Sequence, residues 1–439
     1  MIIVKFGGTS LGDADRIKNA AQIVKSQIKK KPVVVVSAVT KITDMLIELA
    51  EECAQGRGDN ILSEIKNIHK DMLEKMGIGD GLLENDFQEL SNIADEIKSQ
   101  RNIDAKRLDE IQSFGERMSS KIVAAYLNKV GIDAKPFNSW ELGFLTNAEF
   151  GNAEPLEYAY ADINRNIKKL EAVPVITGFI GKTEQGIITT LGRGGSDYTA
   201  SIFGSAINAE EIQIWTDVDG IMSSDPKIVR NAKTIEKVSF AEASELAYFG
   251  AKVLHPKTIL PAMKKNITVK VLNSFNPKGE GTAILSKTKK SEKTVNAIAF
   301  KKNVTLINIE STRMLGAYGF LARLFDIFSK HKKSVDVVST SEVSVSLTLE
   351  NGGSIEEVMN ELKGIADTKV YKNKSIICVV GEGIKNSPDI PSRTFAALAR
   401  NGIRVEMISM GASEINITFI VNGKDAQKAV IALHKEYFK

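Results

Sequence analysis

Four short apolar runs constrain the fold of this chain more than any other feature. Ile2–Phe6, Pro32–Ser37, Val173–Thr177 and Ile212–Thr216 are each rich in Val or Ile, and each leads into Gly, Ser or Thr. Runs without polar alternation are buried on both faces, and the helix-length segments between them supply the crossovers that parallel strands need. The expectation is an α/β domain with a mainly parallel sheet. Residues 59–130 read differently. They carry many charges and no strand-like run, and Ile61, Ile65, Ile68 and Met72 fall at helical spacing. This stretch is expected to form about three helices, inserted into the domain or lying over it as a lid.

The texture changes near residue 275. Asn276-Pro277-Lys278-Gly279-Glu280-Gly281 is turn chemistry, and 287–293 is a basic polar run that reads as a solvated linker. Beyond it the chain repeats itself. Phe325-Asp326-Ile327-Phe328 is echoed by Phe395-Ala396-Ala397-Leu398, and Val335-Asp336-Val337-Val338-Ser339 by Val405-Glu406-Met407-Ile408-Ser409, both at an offset of 70. Ser341-Glu342-Val343-Ser344-Val345 matches Ser413-Glu414-Ile415-Asn416-Ile417 at an offset of 72. Two copies are too few for a solenoid and fit a duplicated small domain, each copy reading strand, helix, strand, strand, helix. The first copy closes with a strand around Thr368–Tyr371, whereas the second ends on its last helix, Ala426–Tyr437. The spare run Val295–Phe300 is the candidate for the missing strand, so the first copy is expected to be inserted within the second. The expected boundaries are 1–285 for the α/β domain, 286–303 for linker plus completing strand, 304–374 for the first copy and 375–439 for the second.

Composition narrows the function classes. With 58 Lys+Arg against 54 Asp+Glu, the net charge of +4 offers no electrostatic case for nucleic acid. Cys53 and Cys378 and four scattered histidines give neither a disulfide framework nor a zinc cluster. No apolar run approaches the ~18 residues of a membrane span. Met1–Val4 already reads as strand, so no secretory leader and a cytoplasmic location are expected.

The chemistry concentrates in two glycine-rich loops. Lys5-Phe6-Gly7-Gly8-Thr9-Ser10 follows the first strand, and backbone N–H groups beside a lysine suit a phosphate. Leu191-Gly192-Arg193-Gly194-Gly195-Ser196-Asp197 sets a guanidinium, a hydroxyl and a carboxylate on three glycines at a helix start. Arginine is the natural bidentate partner of a carboxylate. Two familiar motifs fail. Gly181-Lys182-Thr183 lacks the P-loop glycine, because Ile176 stands there, and Asp197 replaces the third glycine of a dinucleotide fingerprint. Ser37, Thr43, Glu116, Thr216, Asp217 and Lys252 sit at strand ends or in apolar surroundings, and each alone could be a cap or a turn. His255 before Pro256 reads as a loop histidine. Together the set describes a phosphoryl transferase without a P-loop, acting on a small zwitterionic acceptor, since such transfer depends mainly on positioning and charge neutralisation.

With these residues in place the chain resembles the aspartate kinases of the amino acid kinase family. The resemblance rests on Val4–Ser10, Val36-Ser37-Ala38, Ser113-Phe114-Gly115-Glu116-Arg117, Gly178-Phe179, Leu191–Asp197, Trp215–Gly220 and Gly250–Pro256, in the family's order. The repeated tail, with Ser341-Glu342-Val343-Ser344, resembles that family's paired ACT domains. The resemblance implies an open αβα sandwich with a mainly parallel sheet, plus two ferredoxin-like βαββαβ ACT domains. It implies transfer of the ATP γ-phosphoryl group, with Mg2+ carried by the nucleotide and no metal site fixed by side chains alone, to the side-chain carboxylate of L-aspartate.

The same resemblance implies the roles. Lys5 would contact the transferring group, with Asp197 organising the lysines and magnesium. Gly7, Gly8 and Ser10 would line the cradle. Ser37, Thr43, Glu116, Phe179, Arg193 and Ser196 would bind aspartate, Glu116 facing its ammonium and Arg193 a carboxylate. Thr216, Asp217, Met222, Lys227 and Lys252 would bind ATP, Met222 standing where many relatives carry an aromatic residue. Met314, Ala317, Gly319, Leu321, Asp336 and Ser341 would form an effector site, most like that of lysine-inhibited homodimers paired through their ACT domains, with threonine as the other candidate effector. Ala317 stands where a serine is often seen. Two alternatives stay open: another carboxylate acceptor, such as glutamate or acetylglutamate, and a catalytically silent amino-acid sensor.

Overall fold

Each of the four apolar runs forms a strand, and the first two strands, Ile2–Phe6 and Pro32–Val36, are buried at every position. The computed structural model describes all residues except 251–253, 287–293, 316–317, 351–354, 412–414 and 439. In chain order the elements begin β1 (Ile2–Phe6), α1 (Ala14–Gln27), β2 (Pro32–Val36), α2 (Ile42–Ala54), α3 (Asp59–Met76), α4 (Glu84–Gln100), α5 (Ala105–Gln112) and α6 (Phe114–Lys129). Next come β3 (Ala134–Phe137), α7 (Ala159–Ile167), β4 (Val173–Thr177), β5 (Ile180–Lys182), β6 (Ile188–Thr190), α8 (Gly195–Ile207) and β7 (Glu211–Thr216). They are followed by β8 (Lys237–Ser239), α9 (Phe240–Tyr248), α10 (Pro256–Lys264), β9 (Thr268–Asn273) and β10 (Thr282–Leu285). The tail holds β11 (Ala297–Glu310), α11 (Phe320–Lys330), β12 (Val335–Thr340), β13 (Ser344–Glu350), α12 (Glu356–Leu362) and β14 (Asp367–Val380). It ends with α13 (Asp389–Arg400), β15 (Val405–Ser409), β16 (Asn416–Asn422) and α14 (Ala426–Tyr437).

The chain forms two compact units. The first comprises residues 1–221, 236–240 and the described part of 253–287, and the second 222–235 with the described parts of 241–252 and 288–439. In the first unit eight strands run in the order β3-β4-β2-β1-β7-β9-β10-β8, parallel except where β10 meets β9. Side chains alternate across a strand. Ile2, Val4 and Phe6 of β1 therefore enter one core with Val34 and Val36, while Lys5 shares the other face with Ile3. Helix α8 covers that other face at close range: a Cβ on its Gly204 would come within 2.6 Å of Ile212 and 3.3 Å of Ile3. The lysine thus points to the side on which α8 begins.

Residues 59–129 form four helices, α3 to α6, rather than three. Ile65, Met72, Phe87, Leu90, Ile111, Phe114 and Met118 belong to the same apolar cluster as Leu46, Leu49 and the strand residues above. A shared dry core does not hinge, so these helices are built onto the sheet and do not form a lid. Their interior holds one unusual group. His69 is fully buried, its Nδ1 lies 2.7 Å from the Ile65 carbonyl and its Nε2 has no hydrogen-bond partner. Burial pushes its pKa below the ordinary value. The folded state then holds His69 neutral while the unfolded chain protonates it, so stability falls as the pH drops below the unfolded pKa. Stability is therefore expected to fall between about pH 7 and about pH 5. Urea midpoints at both pH values should show it, and a His69→Met variant should show less.

In the second unit six strands run β12-β13-β11-β14-β16-β15. Two strands of 14 residues each cross its centre. The first part of β11, Ala297–Lys301, pairs with Ile376–Val380, and its second part pairs with β13 and the start of β14. Each half therefore shows the strand order of a ferredoxin-like βαββαβ unit. The register shifts where β11 and β14 pass from one half to the other, and Asn303 (φ 58°) and Asn373 (φ 57°) hold the left-handed conformation there that asparagine tolerates well. The outer strands curl back towards each other, Ser409 Oγ donating to the Val338 carbonyl at 3.2 Å. Among the described residues no helix is long and apolar enough to cross a membrane.

Candidate active site

The register of the parallel strands assembles the site. Phe6 lies opposite Val36 on one side and Trp215 on the other, and Val36 lies opposite Thr177. One residue further on, Gly178, Ser37, Gly7 and Thr216 stand in a row across the carboxyl ends of β4, β2, β1 and β7. Three bonds hold the row together: Gly178 N to Val36 O (2.9 Å), Ser37 N to Phe6 O (3.1 Å) and Gly7 N to Trp215 O (3.0 Å). Crevices at this edge are where open α/β sheets bind ligands.

Lys5 is 7% exposed, and its ammonium pairs with Asp197 Oδ1 at 2.5 Å. Asp197 stands in the first turn of α8, where the helix dipole favours a carboxylate. A Cβ on Gly7 would lie 3.6 Å from Lys5 Nζ, so the absent side chain leaves room beside the ammonium for an anion. The next loop along the edge is fastened to this cradle by Thr40, whose hydroxyl donates to the Gly8 carbonyl at 2.7 Å. From below, Glu116 of α6 accepts the Ala38 N–H at 3.0 Å on Oε1, and its Oε2 is buried without a hydrogen-bond partner. Burial raises its pKa to about 8, against the opposing pull of the Ala38 amide and the Lys5 charge.

The second glycine loop closes the other side. Arg193 is exposed, and Ser196 is 8% exposed at the start of α8. Phe179, half-buried, adopts φ 63°, an uncommon conformation for an aromatic residue, and its amide donates to Thr199 Oγ1 at 3.1 Å. His255 caps α10, accepting the Lys257 amide at 3.4 Å, and burial with Arg193 and Lys257 nearby lowers its pKa. An ammonium and two acidic side chains, from Lys5, Asp197 and Glu116, thus stand at one strand edge, with Arg193 exposed on the loop that leads into α8.

Comparison with known proteins gives a consistent result. The amino acid kinase family matches residues 1–273, and an ACT domain matches 377–437. The chain is 40% identical over 456 residues to aspartokinase 3, chloroplastic, of Arabidopsis thaliana, covering all of this chain and 81% of that protein. It is 37% identical over 451 residues to lysine-sensitive aspartokinase 3 of Escherichia coli strain K12, covering 100% and 99%. The chain belongs to the amino acid kinase family, among its aspartokinases. In structure it resembles E. coli aspartokinase III in complex with aspartate and ADP in the R-state, with a TM-score of 0.86 and 34% identity over the whole of both chains. The lysine and aspartate complex of that enzyme in the T-state gives 0.83 and 35%, again over both whole chains.

Several other residues singled out from the sequence have specific surroundings. Ser10 is 1% exposed; its hydroxyl donates to the Trp215 carbonyl at 3.2 Å and lies 2.8 Å from Ser274 Oγ, tying the cradle to β7 and β9. Thr43 lies half-buried in the first turn of α2. The Thr216 hydroxyl donates to Asp217 Oδ1 at 3.2 Å on the exposed rim. Met222 and Lys227 belong to the second unit. There the Met222 sulfur accepts from Thr234 Oγ1 at 3.4 Å, and the Lys227 amide donates to Asp225 at 2.8 Å. Lys252 lies outside the described residues, as does Ala317.

In the first ACT half, Met314 is half-buried, Gly319 precedes α11 at φ 76° and Leu321 is exposed. The Ser341 hydroxyl lies 2.7 Å from that of Ser344. The Asp336 carboxylate is 4% exposed and engaged through one oxygen, Oδ1 meeting Lys301 Nζ at 3.0 Å and the Tyr248 hydroxyl at 2.8 Å. Its Oδ2 is buried without a hydrogen-bond partner.

Sequence reasoning passed over two residues that the geometry brings in. Thr40 was visible as one hydroxyl among Ser37, Thr40 and Thr43. Asp109 had no signal beyond standing seven residues before Glu116 on the adjoining helix.

Proposed function

We propose that this chain transfers the γ-phosphoryl group of ATP to the side-chain carboxylate of L-aspartate, giving 4-phospho-L-aspartate and ADP. The observation that carries the reading is the Lys5–Asp197 pair at the strand edge, with room for an anion beside it and the buried Glu116 carboxylate below. A carboxylate oxygen attacks the γ-phosphorus as the bond to the ADP oxygen breaks. The attacking group has an ordinary pKa of about 3.9 and needs no general base. Lys5 offsets the charge on the transferring group, Asp197 holds Lys5 in place, and Arg193 and Glu116 take the substrate's carboxylate and ammonium. Magnesium arriving on the triphosphate would neutralise further charge there, and Asp197 would be the cradle carboxylate to help hold it.

Incubation with ATP, L-aspartate and hydroxylamine should yield the hydroxamate together with ADP. L-Glutamate and N-acetyl-L-glutamate in parallel reactions identify the acceptor. Absence of hydroxamate with all three would overturn the reading.

The regulatory part of the proposal is inhibition by lysine through the first ACT half, in a cytoplasmic homodimer. Asp336 supports it, since a carboxylate oxygen buried without a partner suits a ligand ammonium. Exposed Val343, Ile408 and Met410 offer apolar surface for pairing. Asp336→Asn is expected to raise the half-inhibitory lysine concentration at least about 10-fold. Inhibition curves with lysine, threonine and both check this, and a flat response to all would remove the regulatory part.

A further inference from the structure

Asp109 is 1% exposed, yet both its oxygens are engaged. Oδ2 accepts the backbone N–H groups of Gly151 (2.9 Å) and Thr190 (2.8 Å), and Oδ1 accepts the Thr190 hydroxyl (2.8 Å). These donors lie on separate segments. Thr190 ends β6 and leads directly into Leu191-Gly192-Arg193, and Gly151 belongs to the loop before α7. The two segments touch: a Cβ on Gly192 would fall 2.8 Å from the Gly151 carbonyl, and Gly192 itself has φ 74°. A further bond, Ala153 N to Thr190 O at 2.9 Å, fastens them again. Asp109 is therefore the anchor of the layer that carries Arg193.

The carboxylate that anchors this layer and the one proposed to meet the substrate ammonium share a support. Asp109 is on α5 and Glu116 on α6, with only Ser113 between the two helices. Ile111, Phe114 and Met118 sink both helices into the main core, so their separation is set by packing. Glu116 is referred to the Ala38 amide, and Arg193 is referred to Asp109 through Thr190.

We propose that Asp109 is a positioning residue that fixes the span between the ammonium and carboxylate ends of the acceptor site, and so selects an acidic amino acid of aspartate's length. The inference rests on the phosphoryl-transfer reading above. A site of fixed span rejects a substrate one methylene longer, and discrimination of that kind is worth about 10- to 200-fold. Releasing Asp109 loosens one end of the site while leaving the Lys5–Asp197 cradle intact.

The test uses the full chain and two variants. Asp109→Asn keeps the shape but aims an amide N–H at one of the donors, and Thr190→Val removes the hydroxyl bond alone. The hydroxylamine reaction gives KM for aspartate, KM for ATP and the ratio of aspartate to glutamate turnover. Asp109→Asn is expected to raise KM for aspartate about 10-fold and to lower the ratio comparably, with KM for ATP within about 2-fold. Thr190→Val should move the same quantities the same way by about 3-fold, and it decides alone where Asp109→Asn does not fold. A merely structural staple would weaken both substrates together and leave the ratio unmoved; that result, or no change at all, overturns the proposal. If the unaltered chain forms no acyl phosphate, the phosphoryl-transfer reading falls and this inference with it. An active chain whose variants keep their selectivity overturns this inference alone.

Discussion

Lys5→Ala is expected to lower kcat by about 1,000-fold, the scale on which loss of one preorganised charge at a transition state is felt. Lys5 is 7% exposed, so little water stands ready to replace its ammonium. Its loss also leaves the Asp197 carboxylate without its partner at 2.5 Å, which leaves an unpaired negative charge where the phosphoryl group is proposed to bind. Lys5→Arg separates charge from position. Guanidinium keeps the charge but is planar and larger than the ammonium that Asp197 grips, so a loss of at least about 100-fold is expected. Asp197→Asn should cost about as much as the arginine exchange, since Lys5 then loses its orienting partner. His255→Ala should change turnover less than about 3-fold, because that histidine caps α10, its ring nitrogen accepting the Lys257 amide. Steady-state assays of the four variants check the ranking. Equal losses in all of them would contradict these roles.

The second large effect is on pH dependence. Glu116 has a pKa of about 8 in the free protein because burial disfavours its charge. At neutral pH it is mostly protonated and cannot pair with a substrate ammonium. The value of kcat/KM for aspartate reports ionisations of the free enzyme, so it should rise nearly tenfold per pH unit below about 8 and level off above. Glu116→Gln removes the titrating group. The profile should then lose this rise and lie at least about 100-fold below the wild-type plateau. The same shift has a sign for stability. A carboxyl whose folded pKa is raised contributes stability at low pH that is lost as pH rises through about 8, because the unfolded chain ionises first. Glu116→Gln should therefore flatten the melting temperature across that range as well. A wild-type kcat/KM profile without any rise towards about pH 8 would sink the assignment.

Much of the fold was readable because its signals are local. A run of Val and Ile with no polar alternation has one stable outcome, a strand buried on both faces, and β2 adopts it, as does β1 with Lys5 as its one charged residue. The duplication showed itself as repeated strings, and the matching asparagines at 303 and 373, spaced like the repeats, mark where the long strands change halves. The helical stretch was harder. Its periodicity says helix but not how many, and a break as short as Ser113 between α5 and α6 leaves the 3.6-residue pattern almost unbroken. Its packing onto the sheet, rather than over it as a lid, depends on long-range burial of residues such as Ile65 and Phe87 that no local pattern records.

The four apolar runs by themselves determined that the chain folds around a parallel sheet, and the two glycine loops marked the segments proposed for phosphate chemistry. These are statements about neighbours in sequence, where sterics and periodicity act. Only the tertiary structure decided that Lys5 meets Asp197, that Glu116 reaches Ala38 from beneath, and that Asp109 holds the Arg193 layer. The physical reason is the strand register. A shift of one residue along β1 would turn Lys5 to the opposite face of the sheet, away from α8, and that register is set by the packing of the whole core.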